Sequence, residues 1–231
     1  MKIKKAIVLA AGFGTRLRPL TLKLPKPLLK IGKLTLLENT LNFLKSYGVD
    51  EVIVNTFYLS EQIVLFLNKI NLNIKVTSVI EKKEILGTGG GILNALQQLN
   101  ADHFFVINPD TIWSQSYLRE LEILENIFFE KKLENIMLVA NKTKSFDKSL
   151  TGDFNLNSKN IINLEKPNHF IYTGCQIFKK SVFNNLDIKP FPINEVWKKL
   201  INEKKLQGFE SEQNFLHVTS LKVYNDIIKK F

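Results

Sequence analysis

Between Leu9 and Leu29 the chain reads LAAGFGTRLRPLTLKLPKPLL, directly after the apolar run Ala6-Ile7-Val8. Gly12 and Gly14, set among Ala10, Ala11 and Thr15, allow the backbone to approach a ligand closely and turn N–H groups toward an anion. Arg16 and Arg18 carry planar forks of donors that suit a polyphosphate. Lys26, held between Pro25 and Pro27, is a point charge on a stiff segment with little conformational freedom to lose. Two familiar phosphate motifs are excluded. No Gly-Lys-Ser/Thr closes the stretch as in a P-loop, and Leu17 stands where a dinucleotide fingerprint has its third glycine. A second stretch, Asn108-Pro109-Asp110-Thr111-Ile112-Trp113, places a carboxylate just after another apolar run.

The elements that must carry these residues follow from periodicity. Short β-rich runs predict strands at Lys5–Leu9, Glu51–Asn55, Ile74–Ile80, His103–Ile107 and Ile136–Ala140. Between them, helical patterns fall at Leu36–Tyr47, Ser60–Leu67, Gly91–Leu99 and Ser116–Phe129. This alternation predicts an α/β fold, a mostly parallel sheet with helices on both faces, whose ligands sit at the carboxyl ends of its strands. Past residue 141 the runs shorten and are broken by Asn-Ser-Lys-Asn and Lys-Pro-Asn, which reads as a small antiparallel insertion. Helices return at Ile193–Asn202 and Leu221–Lys230. No repeat, linker or boundary divides residues 1–231, which read as one domain.

The composition is globular, with a net charge of +10 and a pI near 9.5. That excess fits an anionic partner, or a coding bias that spreads lysine, isoleucine and asparagine along the chain. No element carries a basic stripe with interleaved aromatics, so nucleic acid is not expected. The single cysteine, Cys175, leaves no internal disulfide and fits a reducing compartment. The N-terminal apolar run is too short for a secretion signal, and no stretch approaches a membrane span. A cytoplasmic protein without membrane contact, monomeric or homodimeric, is the expectation.

The first stretch closely resembles the signature of the sugar-nucleotide pyrophosphorylases, or sugar-1-phosphate nucleotidyltransferases. Their pattern is roughly L-A-A-G-x-G-T-R-L-x-P-x-T-x-x-x-P-K-P, and every fixed position is present at residues 9–27. The resemblance runs on. Leu86–Ile92 (LGTGGGI) is similar to a nucleotide-binding segment of that family, Asn108-Pro109-Asp110 to its metal-binding strand end, and Leu164–Pro167 (LEKP) to its sugar site. Within the family, the TGGGI form and Gly152–Leu156 (GDFNL) most resemble N-acetylmuramate 1-phosphate uridylyltransferases, enzymes of cell-wall sugar recycling. LEKP is more typical of glucose and mannose 1-phosphate enzymes.

The resemblance implies a Rossmann-like three-layer sandwich of the nucleotide-diphospho-sugar transferase type, joining a sugar 1-phosphate to a nucleoside triphosphate, with UTP favoured. It implies Mg²⁺, with Mn²⁺ as an alternative. Arg16 would hold the β- and γ-phosphates, Lys26 would stand between the α-phosphate and the sugar phosphate, and Asp110 would hold the metal. Leu9, Ala11, Gly12, Gly14 and Thr15, with Gly89 and Gly90, would line base and ribose. Glu81 is either an acceptor for the N3–H of a pyrimidine or a surface residue beside Lys82 and Lys83. For the sugar, Glu165 would accept hydroxyl bonds and Lys166 would meet the phosphate, with Asn108, Asp153, Thr173 and Gly174 as further contacts. Trp113 either walls the sugar or packs. One departure stands out: the family's second metal-binding aspartate falls on His217, in FLHVTSLKVY. Imidazole suits manganese, zinc or iron better than Mg²⁺. Either His217 touches the metal or a phosphate, or the metal rests on Asp110 and substrate oxygens, or catalysis is weakened in a regulatory relative.

Overall fold

Apolar runs buried on both faces explain the layers. In the computed structural model, which describes residues 2–231, Ala6 and Val8 of the first strand face one side and Ile7 the other, all fully buried. In chain order the strands are β1 (Lys5–Leu9), β2 (Lys30–Ile31), β3 (Leu34–Thr35), β4 (Glu51–Thr56), β5 (Lys75–Ile80), β6 (His103–Ile107), β7 (Asn135–Asn141), β8 (Asn155–Leu156), β9 (Ile162–Asn163), β10 (Phe170–Lys179) and β11 (Leu206–Ser211). The α-helices are α1 (Leu36–Tyr47), α2 (Ser60–Lys69), α3 (Gly87–Ala95), α4 (Tyr117–Glu130), α5 (Asn194–Asn202) and α6 (Leu221–Ile228).

Seven strands form one sheet in the order β11-β7-β10-β6-β1-β4-β5. All pairings are parallel except those of β10, which runs antiparallel between β6 and β7. One face packs Val8, Val54, Phe105 and Leu138 against α1 and α4 through Leu41, Leu44, Leu121 and Phe128. The other packs Ile7, Val106 and Val139 against α3 and α5 through Ile92, Leu93, Val196 and Leu200. This is the three-layer sandwich expected, with small antiparallel pairs β2–β3 and β8–β9 beside it.

Two placements differ from the sequence reading. The run ending in β10 does not stay within the antiparallel insertion; its ten residues enter the middle of the main sheet. β11 was not expected at all, and it lies parallel to β7 at the sheet edge. No helix among the described residues is long and apolar enough to cross a membrane.

Candidate active site

The site forms where β1, β4 and β6 end. Ala10 leaves β1 with its N–H on the Asn55 side chain at 2.9 Å, which ties the loop to the end of β4. Gly14 takes φ +63°, and a Cβ there would lie 3.0 Å from the Thr21 methyl. Thr21 donates to the Gly14 carbonyl at 2.8 Å, so the loop closes on itself. Leu17 is buried as an anchor, leaving Arg16 exposed above it. Asn108 follows β6. Its N–H donates to the Gly174 carbonyl at 2.8 Å, and its carbonyl accepts from the Trp113 indole at 3.2 Å.

Two cavities open at these strand ends. The first, of about 380 Å³, has Leu9, Ala11, Gly12, Gly14, Thr15 and Lys26 in its wall. The second, of about 550 Å³, is walled by Asp153, Asn168, Tyr172, Trp197 and His217 among others. Arg16 and Asn108 line both, so the cavities meet at these two residues. Asp110 lies on the first and is ion-paired with the Lys26 ammonium.

His217 reaches this junction on a short extended segment. Ile112 N–H donates to the Leu216 carbonyl and Val218 N–H to the Asp110 carbonyl, both at 2.9 Å. His217 Nε2 lies 3.6 Å from Asp110 Oδ2. Burial alone would raise the Asp110 carboxyl, but the positive charges of His217, when protonated, and of Lys26 hold it down at about 2. Burial lowers His217 against the opposing pull of Asp110, and Lys26 is ion-paired directly with Asp110.

The chemistry of this pair fits a divalent cation. Asp110 Oδ1 is buried without a partner, a costly arrangement for a carboxylate unless a ligand completes it. The Lys26 ammonium already occupies the cation's role at Oδ2. No group of three or more metal-ligating side chains occurs among the described residues, so Asp110 and His217 would share the ion with phosphate and water oxygens.

Several expected contacts are corrected. Gly89 and Gly90 are buried and do not line the first cavity. Their N–H groups donate to the Phe191 carbonyl at 3.0 and 3.2 Å. A Cβ would fall 2.2 Å from the Phe191 ring at Gly89, and 2.2 Å from the Lys189 carbonyl at Gly90. These glycines admit a strap at residues 186–193, while Gly87 and Thr88 face the cavity instead. Glu81 is not a surface residue. It is 2% exposed, and its oxygens accept from Asn55 Nδ2 at 2.8 Å and the Leu86 N–H at 2.7 Å. Burial raises its carboxyl despite these donors.

Asn108 and Asp153 stand in the wall of the second cavity. Thr173 is fully buried, with its hydroxyl on the Leu138 carbonyl at 2.8 Å. Gly174, at φ +91°, makes room for Asn108, to whose Cβ an added methyl would be 2.9 Å. Both support the wall from behind. Glu165 and Lys166 are exposed on the β9–β10 turn and outside the wall of the second cavity. Trp113 packs, stacked on Phe43 at 5.4 Å. The sequence reading missed Asn55, Thr88, Asn168, Tyr172 and Trp197. Of these only Asn55 carried a signal, as a polar residue at a strand's carboxyl end.

Known proteins resemble this chain in sequence and fold. The family model described as nucleotidyl transferase matches residues 5–220. The N-acetylmuramate alpha-1-phosphate uridylyltransferase of Caulobacter vibrioides is 28% identical over 221 residues, 93% of this chain and 91% of that protein. The mannose-1-phosphate guanyltransferase of Schizosaccharomyces pombe is 32% identical over 231 residues, 95% of this chain but 62% of that protein. HddC from Yersinia pseudotuberculosis, in a crystal structure complexed with GMP-PN, superposes with a TM-score of 0.76 at 25% identity, over 99% of this chain and 100% of that one. The chain belongs to the nucleotidyl transferase family, in its sugar-1-phosphate branch.

Proposed function

We propose that the protein joins N-acetylmuramate 1-phosphate to UTP, giving the UDP-sugar and pyrophosphate. The observation that carries the reaction class is the meeting of two cavities at Arg16 and Asn108, with Lys26 and Asp110 at the junction. A sugar phosphate has a second pKa of ~6, so near neutral pH it is a dianion that attacks the α-phosphorus without a general base. The obstacle is bringing two polyanions together. Arg16, exposed at the seam, would hold the β- and γ-phosphates that leave. Lys26, half-buried on its stiff segment, would leave Asp110 for the phosphates and steady the charge that develops on the α-phosphoryl oxygens. Main-chain groups of residues 11–14 would hold base and ribose. A divalent cation at Asp110 and His217 would add neutralisation of the phosphate oxygens.

The choice of sugar and base is supported by the Caulobacter uridylyltransferase, which this chain matches over nearly its whole length. A second reading, mannose 1-phosphate with GTP, is supported by the higher identity to the yeast guanyltransferase. Pyrophosphate release, measured across five nucleoside triphosphates against N-acetylmuramate, mannose, glucose and N-acetylglucosamine 1-phosphates with Mg²⁺ or Mn²⁺, tests both. Turnover with GTP and mannose 1-phosphate alone would replace the first reading by the second. Tight nucleotide binding without release from any pair would leave only a regulatory relative.

A further inference from the structure

We propose that Thr111 is a positioning residue that fixes the tautomer of His217, so that His217 presents Nε2 beside Asp110 as a nitrogen ligand for a divalent cation of the manganese type. The proposal rests on the reading of Asp110 and His217 as the cation-facing pair.

The argument is one of proton inventory. Thr111 and His217 sit opposite each other in an antiparallel bridge, and Thr111 is fully buried. A threonine hydroxyl has one proton to give. Thr111 gives it to the Thr173 carbonyl at 2.6 Å. That carbonyl lies where the β10–β7 register shifts, between Tyr172 and Cys175, outside the regular ladder. With its proton committed, the Thr111 oxygen can only accept in its 3.0 Å contact with His217 Nδ1. Nδ1 therefore carries the hydrogen, and in the neutral ring Nε2 is a bare electron pair.

Nε2 lies 3.6 Å from Asp110 Oδ2, beyond hydrogen-bond length, and the Lys26 ammonium holds that same oxygen until a ligand draws it away. Asp110 Oδ1 is buried and unpartnered alongside. The Phe215 ring lies against the imidazole at 5.5 Å and 17°, which restricts the ring plane. A cation satisfies both electron-pair donors at once, and a nitrogen in its shell favours Mn²⁺ over Mg²⁺. An outer partner that orients a ligating histidine is worth about 10–100-fold in metal affinity.

Long-range ¹H–¹⁵N correlation spectra of the metal-free protein read the tautomer of its three histidines, with His217→Asn identifying the His217 signals. The expected result is a protonated Nδ1 in the wild type and in Thr111→Ser, and loss of that preference in Thr111→Val. Pulsed EPR of Mn²⁺ with inorganic pyrophosphate, the product common to every base and sugar, should show imidazole ¹⁴N coupling in the wild type and in Thr111→Ser. In Thr111→Val, Mn²⁺ affinity should fall by about 10–100-fold. A protonated Nε2 in the wild type, absence of ¹⁴N coupling, or a Thr111→Val protein that matches wild type in both spectra overturns the proposal. If Thr111→Val does not fold, Thr111→Ala takes its place, and the wild-type spectra decide the tautomer regardless. Failure of every sugar and nucleotide pair to turn over would sink the substrate assignment and leave these spectra unchanged.

Discussion

Replacing Gly90 by alanine sets two known effects against each other. Inside a helix such a change ordinarily stabilises by about 1 kcal/mol, because alanine has less backbone entropy to lose. Gly90 lies in α3 and is buried, and an added Cβ would fall 2.2 Å from the Lys189 carbonyl and 3.1 Å from Leu86 Cβ. Since the near atom is backbone, the strap at residues 186–193 must move. Overpacking of this kind costs about 1–3 kcal/mol. The strap also supplies the Phe191 carbonyl to Gly89 and Gly90, and weakening those two bonds costs about 1 kcal/mol each. The net is a destabilisation of about 3 kcal/mol, or a fall in Tm of roughly 6–12 °C for a chain of this size. Differential scanning calorimetry measures it directly. Gly12→Ala is the internal control, since nothing lies within 4 Å of a Cβ there. Its Tm should stay within about 2 °C of wild type, while the nucleotide KM rises because Gly12 faces the first cavity. A Gly90→Ala protein that melts at or above the wild-type temperature would refute the clasp and return these glycines to the ligand.

Three further outcomes are expected. Lys26→Ala should lower kcat by roughly 10²–10³-fold, the scale of losing one charge-stabilising group, in steady-state pyrophosphate release. Asp110, lowered from 3.8 to about 2, contributes stability that is present above pH 3.8 and lost as pH falls toward 2, on the order of 2 kcal/mol. Lys26→Met removes a cation that lowers this carboxyl, so in Tm scans against pH the acid loss should be smaller than in wild type and should be complete at a higher pH. Glu81→Ala should destabilise by about 2–4 kcal/mol, because it strands Asn55 Nδ2 and the Leu86 N–H. It should leave the ratio of kcat/KM between UTP and GTP within about twofold, and a larger change would restore Glu81 as a base reader.

How much was legible in the sequence depended on how local each cause was. The loop from Leu9 to Pro27 could be read residue by residue, because its glycines, arginines and prolines act through their own backbone and charge. Its cavity-facing residues lie in one wall. The strands β1, β4 and β6 were legible as short apolar runs buried on both faces. β11 was not, because Leu206–Ser211 has Gly208 at its centre and is a strand through pairing with a segment some seventy residues earlier. The helix expected at Gly91–Leu99 begins earlier, at Gly87, although consecutive glycines weigh against a helix. Carbonyl acceptance by Phe191, a hundred residues later, overrides that preference. Glu81 shows the same limit, since its burial depends on Asn55 and the turn to Leu86 rather than on its lysine neighbours. His217 was legible only as a departure from a pattern. Its position beside Asp110 is set by pairing with residues 110–112, which local sequence does not encode.

Formation of the new phosphate linkage decides the functional assignment. Wild-type protein, UTP and N-acetylmuramate 1-phosphate with a divalent cation, followed by ³¹P NMR, should show the sugar phosphate and α-phosphate signals give way together to a diphosphate pair, as free pyrophosphate grows in equal amount. The same mixture with Lys26→Ala should stay nearly unchanged over that time. Pyrophosphate or phosphate appearing without a sugar diphosphate, or equal rates for Lys26→Ala and wild type, would contradict transfer at the junction of the two cavities.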